Sequence, residues 1–151
     1  MNTQEILTRV SAFMNEQVPF QNLLGFEITE FTPERGQVKF RWQDPLMGNV
    51  PQRMLHGGVT ATALDTAGGL VAIAGMIERL QEPSGHYLME RLSRCGTIDL
   101  RVDYLRPGRG KEFIANASII RSGNKVAVAR MELHNEDGTH IAFGTGTYLV
   151  G

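Results

Sequence analysis

The chain has 151 residues, 42% of them hydrophobic and 21% charged, with a formal net charge of −1. That length suits one domain, 1–151, with a real core, and the charge balance gives no general attraction to nucleic acid or an anionic membrane surface. The single cysteine, Cys95, excludes an internal disulfide and fits a reducing compartment. Gln4, Glu5 and Arg9 interrupt the N-terminal apolar residues, unlike a secretory signal, and the longest apolar run, Ala67 to Ile77, is short for a membrane span. The expectation is a cytoplasmic protein with no membrane partner.

Ile6, Leu7, Val10, Phe13 and Met14 make one stripe on a helix over residues 2–17, with Asn2 or Thr3 as its cap. Val18-Pro19-Phe20 ends that helix, and residues 21–25 read as a short connection or a helical turn. Phe26, Ile28 and Phe31 open a strand, and Pro33-Glu34-Arg35-Gly36 turns the chain. Val38, Phe40 and Trp42 alternate with Gln37, Lys39 and Arg41, so a half-buried strand completes a hairpin. Residues 44–53, with Pro45, Gly48 and Pro51, read as a loop.

A long helix follows, from about Gly57 to about Leu80. Its residues are small and apolar on nearly every side, which implies burial all round. Residues 81–94, around Pro83-Ser84-Gly85, read as a polar, mobile loop. Then come strands joined by hairpins. Ile98, Leu100, Val102 and Tyr104 alternate with Asp99, Arg101 and Asp103. Residues 113–121 and 125–135 flank the tight turn Ser122-Gly123-Asn124, with Val126 and Val128, then Met131 and Leu133, as the apolar set of the second. Residues 139–150 form the last strand. The order gives an α+β fold in which an antiparallel sheet curls around one buried helix, preceded by an N-terminal helix and connection over 1–22.

One charge, Asp65, sits in the apolar helix. A carboxylate there must be paired, hydrogen-bonded, protonated or functional, because a bare buried charge is costly. Leu55-His56-Gly57-Gly58 precedes it, with Asp65 eight positions after Gly57, and the later stretch Gly96 to Pro107 ends in Arg106-Pro107. These motifs, with the turn Arg121 to Lys125, resemble the hotdog-fold acyl-CoA thioesterases of the phenylacetic-acid type. The resemblance covers roughly residues 23–148. It implies hydrolysis of acyl-CoA to free acid and CoA without a cofactor or metal. It also implies a homodimer, or dimers paired into a homotetramer, with sites across the dimer interface. In that family the Asp is general base or nucleophile and the first Gly of HGG polarises the thioester carbonyl. Those roles map onto Asp65 and Gly57, and a hydroxyl that helps place the attacking water maps onto Thr97. An Asn upstream of HGG maps onto Asn49, with Gln52 as the neighbouring alternative.

Taken alone, the residues agree with parts of this. Eight helical residues span about 12 Å of rise. One thioester carbon therefore does not reach both Gly57 and Asp65 of one chain, whereas two antiparallel copies of the helix bring one chain's Gly57 beside the other's Asp65. Free N–H groups at a helix start suit an oxyanion, and glycine at 57 and 58 lets substrate approach the backbone. A carboxylate in an apolar wall makes a stronger base. His56 reads more readily as a brace for the helix start than as a base. Gly68 and Gly69 read as close-packing residues, since no phosphate-loop motif surrounds them. Arg106, Arg109, Arg121 and Lys125 are either solvated turn charges or a grip on the phosphates of CoA. Cys95 lacks the setting of a reactive thiol, and His86, His134 and His140 lack metal-ligand spacing.

Two other readings stand beside hydrolysis: a hotdog dehydratase on hydroxyacyl thioesters, whose His-plus-acid motif is missing, and an acyl-CoA binding module without turnover. The acyl group stays open. Met76, Leu88 and Met89 admit a medium or long chain, and an aryl-acetyl group fits equally well.

Overall fold

A computed structural model describes residues 1–151. Helix α1, Thr3–Gln17, starts at a capping box: Asn2 Oδ1 accepts from the Glu5 N–H (2.9 Å) and Glu5 reaches back to the Asn2 N–H (2.9 Å). The helix stops at Val18-Pro19 as expected, and Pro19 also begins the next one. It stands first in the short α2, Pro19–Leu24, where its missing N–H costs nothing, and Gly25 closes that helix in the left-handed region (φ 71°).

Strands β1, Glu27–Phe31, and β2, Gly36–Arg41, form the expected hairpin. The following stretch is not a plain loop. A 3-10 turn over Asp44–Leu46 leads into a small hairpin of β3, Met47–Asn49, and β4, Met54–Leu55, which hands the chain to α3, Gly57–Arg79. Residues 81–94 are a second departure. Gln81 and Glu82 take positive φ (48° and 57°) to turn the corner, and α4, Gly85–Ser93, follows with Ser84 Oγ accepting from the Tyr87 N–H (3.2 Å). The Pro-Ser-Gly signal marks the cap of a helix, whose Leu88 and Leu92 lie four apart and face inward.

Four long strands complete the fold: β5, Gly96–Tyr104; β6, Glu112–Ser122; β7, Val126–Asn135; and β8, His140–Leu149. The six-stranded antiparallel sheet runs β1-β2-β6-β7-β8-β5 and wraps α3. This is the hotdog architecture the pattern implies. On β7 the inward residues are Ala127, Ala129, Met131 and Leu133, so Val126 and Val128 point to the outer face. Alanines fill the inner face there because a large helix lies directly over them.

Helix α3 owes its place to its small residues. Ala63, Leu64, Ala67, Val71, Ala74 and Ile77 are sealed from solvent, and a methyl group on Gly36 of β2 would strike the Ala67 carbonyl. A close helix–sheet approach follows, and the rings of Phe26, Phe40 and Phe113 (successive centroids 4.8 and 5.1 Å apart) pack together in the core. By length and composition α3 could cross a membrane, with mean hydropathy 1.4 in its most apolar window. The apolar run of Ala67 to Ile77 understates it. Yet 67% of that window is buried by the protein's own sheet.

The sheet's two edges differ. At β1, Asn15 of α1 bridges the backbone, accepting from the Ile28 N–H (2.8 Å) and donating to the Ile28 carbonyl (3.4 Å). At β5 nothing covers the outer side, and Ile98 (57% exposed) and Tyr104 (54%) stand open.

Candidate active site

Asp65 is half-buried on α3, and its carboxylate is hydrogen-bonded rather than bare: the Thr97 hydroxyl donates to Oδ1 (2.8 Å). Thr97 lies near the start of β5, so the helix and the edge strand meet at this pair. The Tyr148 hydroxyl of β8 also lies against this carboxylate. It donates to the Asp65 backbone carbonyl (3.1 Å). Burial, reinforced by the neighbouring carboxylate, pushes the Tyr148 phenol well above its usual range, so it remains a neutral donor. Room for that ring comes from Gly68, where a methyl group would collide with the Tyr148 hydroxyl and lie 3.0 Å from Met131 Sδ. The close-packing reading of Gly68 therefore has a specific object.

A cavity of about 220 Å³ opens beside the pair, walled by Leu70, Ile73, Met14 and Leu149. Thr66, Gln21 and Cys95 line it as well. Gln21 of α2 places a buried Oε1 there without a partner inside the chain. Cys95, just before β5, lines it too, although the sequence sets it in a polar stretch; burial pushes its thiol up, and Sγ donates weakly to the Arg91 carbonyl (3.5 Å), so it stays a thiol.

The start of α3 is exposed and differently built. His56 Nδ1 accepts from the Gly58 N–H (2.8 Å), which makes it the N-cap. The N–H groups of Val59 and Thr60 turn back onto the His56 carbonyl (2.9 and 3.4 Å). Of the first turn, only the Gly57 N–H is left without a partner, at the positive end of the helix dipole. The bracing reading of His56 thus explains how Gly58 is used up and Gly57 kept free. Tyr104, at the far end of β5, donates to the Gly57 carbonyl (2.6 Å). A second cavity, about 290 Å³, lies here between Gly57, Thr60, Tyr104 and Arg106.

Gly57 and Asp65 therefore line separate cavities in one chain, at opposite ends of β5. Other candidates are brought elsewhere. Asn49 Oδ1 accepts from the Gln52 N–H (3.2 Å), while Arg109 donates to the Gln52 carbonyl (3.1 Å) and Oε1 (2.5 Å). Asn49 is thus occupied within the small hairpin and Gln52 by Arg109, and neither lines either cavity. Arg106 donates to the His140 carbonyl (2.9 Å) at the rim of the Gly57 cavity. Arg121 and Lys125 lie at the β6–β7 turn, whose Ser122 carbonyl accepts from Arg79 (2.6 Å) at the other end of α3. In one chain the four cations do not converge on one phosphate group. Met76 lies in the core near that same end, away from Asp65.

Strand pairing brings His134 and His140 into a stacked pair (centroids 4.5 Å) with Glu132 alongside, a grouping that their spacing in the chain conceals. Burial, with the neighbouring His140, holds the His134 imidazole below its usual range.

Comparison with known proteins bears on the whole chain. A family model described as the thioesterase superfamily matches residues 52–142. The medium/long-chain acyl-CoA thioesterase YigI of Escherichia coli K12 is 48% identical over 151 residues, covering 100% of this chain and 97% of its own. YigI of Salmonella typhimurium is similar at the same 48% identity and coverage. A crystal structure from Shewanella oneidensis, described as related to the thioesterase superfamily, superposes with TM-score 0.94 at 52% identity, over 99% of this chain and 97% of that one.

Proposed function

The chain belongs to the thioesterase superfamily and is an acyl-CoA thioesterase; from that premise we propose that it acts on medium- and long-chain acyl-CoA, in the cytoplasm, at a site shared between two copies. The range of chain lengths is taken from the name of the Escherichia coli relative. The observation that carries the catalytic assignment is the Thr97–Asp65 hydrogen bond in the wall of a cavity that Leu70, Ile73 and Leu149 also line.

In this reading the Asp65 carboxylate takes a proton from water as the water oxygen bonds to the thioester carbon. Thr97 holds the carboxylate in place by its bond to Oδ1. The resulting oxyanion rests on the Gly57 N–H. The C–S bond then breaks, and the proton held by Asp65 passes to the thiolate, giving free acid and CoA.

The bare edge supports a two-chain site. If β5 pairs antiparallel with its copy about a two-fold near Leu100 and Arg101, Thr97 falls opposite the partner's Tyr104. Since Thr97 holds Asp65 and Tyr104 holds Gly57, Asp65 then lies beside the partner's Gly57. Such pairing also covers Ile98 and Tyr104. A homodimer is the unit this requires, and a homotetramer adds nothing to the chemistry. Arg106, at the Gly57 rim, is the cation best placed for a CoA phosphate, with Arg109 held nearby through Gln52.

The test is release of free thiol from a panel of acyl- and aryl-CoA thioesters by wild type, Asp65→Ala and Asp65→Asn. Loss of about 10²–10⁴-fold in both variants, with the dimer intact, is the expected result. Variants as active as wild type would remove Asp65 from catalysis.

A further inference from the structure

Beyond Asp65 a further cavity adjoins the first. Met14 of α1 and Ile73 of α3 line the first, and both also line this larger chamber of about 500 Å³ on their other side. From α1 the chamber receives Val10 and Phe13, and from α4 Leu88, Met89 and Leu92. Arg9 and Ser93 are its only polar liners, and no carboxylate faces it.

The walls explain their own composition poorly as core. Helix α1 seals only Ile6 and Leu7, and α4 only Leu88. Phe13 is 57% exposed and Met89 58%, so two large apolar side chains stand open on facing helices. Folding alone does not favour that placement; a ligand that covers them does. Geometry selects the ligand. A thioester held at Asp65 with its CoA directed toward the β5 edge and the exposed start of α3 must send its acyl tail the other way, past Met14 and Ile73.

We propose that the chamber between α1 and α4 binds the distal part of the substrate's acyl chain, and that Phe13 and Met89 set how chain length is rewarded. This rests on the hydrolase reading for what occupies the cavity at Asp65. A straight alkyl chain, lacking polar atoms, matches a wall of eight apolar residues without a carboxylate, and methionine and phenylalanine suit a tail of variable length. Medium and long chains reach the chamber; short ones stop in the Asp65 cavity.

The test uses Phe13→Asp and Met89→Asp, two exposed positions where a charge leaves the core intact. Thiol release is followed across butanoyl-, octanoyl-, dodecanoyl- and hexadecanoyl-CoA. The expected result is a flattened dependence on chain length: kcat/KM falls by roughly tenfold or more for dodecanoyl-CoA and by less than about twofold for the shortest thioester that wild type hydrolyses. Equilibrium binding of a non-hydrolysable dodecyl-CoA thioether, read against CoA alone, is expected to weaken in parallel. A dependence on chain length equal to that of wild type, or equal losses at every length, would overturn the proposal. So would variants that change only the oligomeric state, which would make the chamber an interface between copies. Should wild type hydrolyse no thioester yet bind the thioether in a Met89-dependent way, the chamber stands and the hydrolase reading falls. Hydrolysis with unaltered length dependence gives the reverse.

Discussion

The two edges of the sheet receive opposite treatment. At β1, a helix lies alongside and Asn15 satisfies the Ile28 backbone, so the sheet stops there. At β5, nine residues of strand carry two exposed apolar side chains and no cover. A long bare edge is a hazard that proteins ordinarily blunt. The edge left open is also the one whose two ends hold Asp65 and Gly57. The sheet is finished at β1 and left open at β5, and in the proposed two-chain site catalysis depends on what continues it there.

The largest expected effect beyond Asp65 itself comes from Gly57→Pro. Proline is tolerated at the first position of a helix, and His56 before it already has the extended backbone that proline demands (φ −58°, ψ 134°). The substitution deletes the one free N–H while keeping the helix. Thiol release is expected to fall by about 10²–10³-fold with little change in thermal stability; near-normal turnover would take the oxyanion away from Gly57.

A charge placed on each edge in turn separates the two. Ile98→Lys on β5 is expected to weaken dimerisation by roughly tenfold or more, with turnover falling at low protein concentration, whereas Glu27→Lys on β1 leaves both unchanged. Analytical ultracentrifugation alongside the activity assay reads both. Equal responses at the two edges would erase the distinction.

Thr97→Val is expected to cost about tenfold in kcat with KM nearly unchanged, and Thr97→Ser to restore most of it, because only the hydroxyl reaches Asp65. The smallest effect belongs to His56. Asparagine, a strong N-cap, is expected to keep activity within about threefold, while alanine lowers stability by about 1 kcal/mol in thermal unfolding. A collapse of activity in His56→Asn would make the imidazole a base rather than a brace.

Much of this was legible from residue order. The all-round apolar α3 and the alternating strands specify a sheet around a helix, and a lone Asp65 in that helix marks the reacting end. What escaped has local causes. Helix α4 is nine residues long and opens with glycine, so its Leu88–Leu92 spacing is overshadowed by turn signals. Alanines on β7 carry the inward face, while more hydrophobic valines beside them point out. Tyr148 and Gln21 reach the Asp65 cavity from the two ends of the chain, and no local pattern links them to it. Asn49 sits near HGG in sequence, yet its side chain closes a turn instead. Arg121 and Lys125 resemble Arg106 and Arg109 as turn cations; only the topology separates them along α3.

The central claim is that Asp65 of one copy works with Gly57 of the other. Mixing the inactive Asp65→Asn and Gly57→Pro dimers and allowing subunits to exchange tests it most directly. Each mixed dimer then holds one site with both groups intact and one with neither. Recovery to about a quarter of wild-type turnover, with mixed dimers seen by native mass spectrometry, is the predicted result. Mixed dimers that form and remain inactive would contradict it, and would return both groups to a single chain.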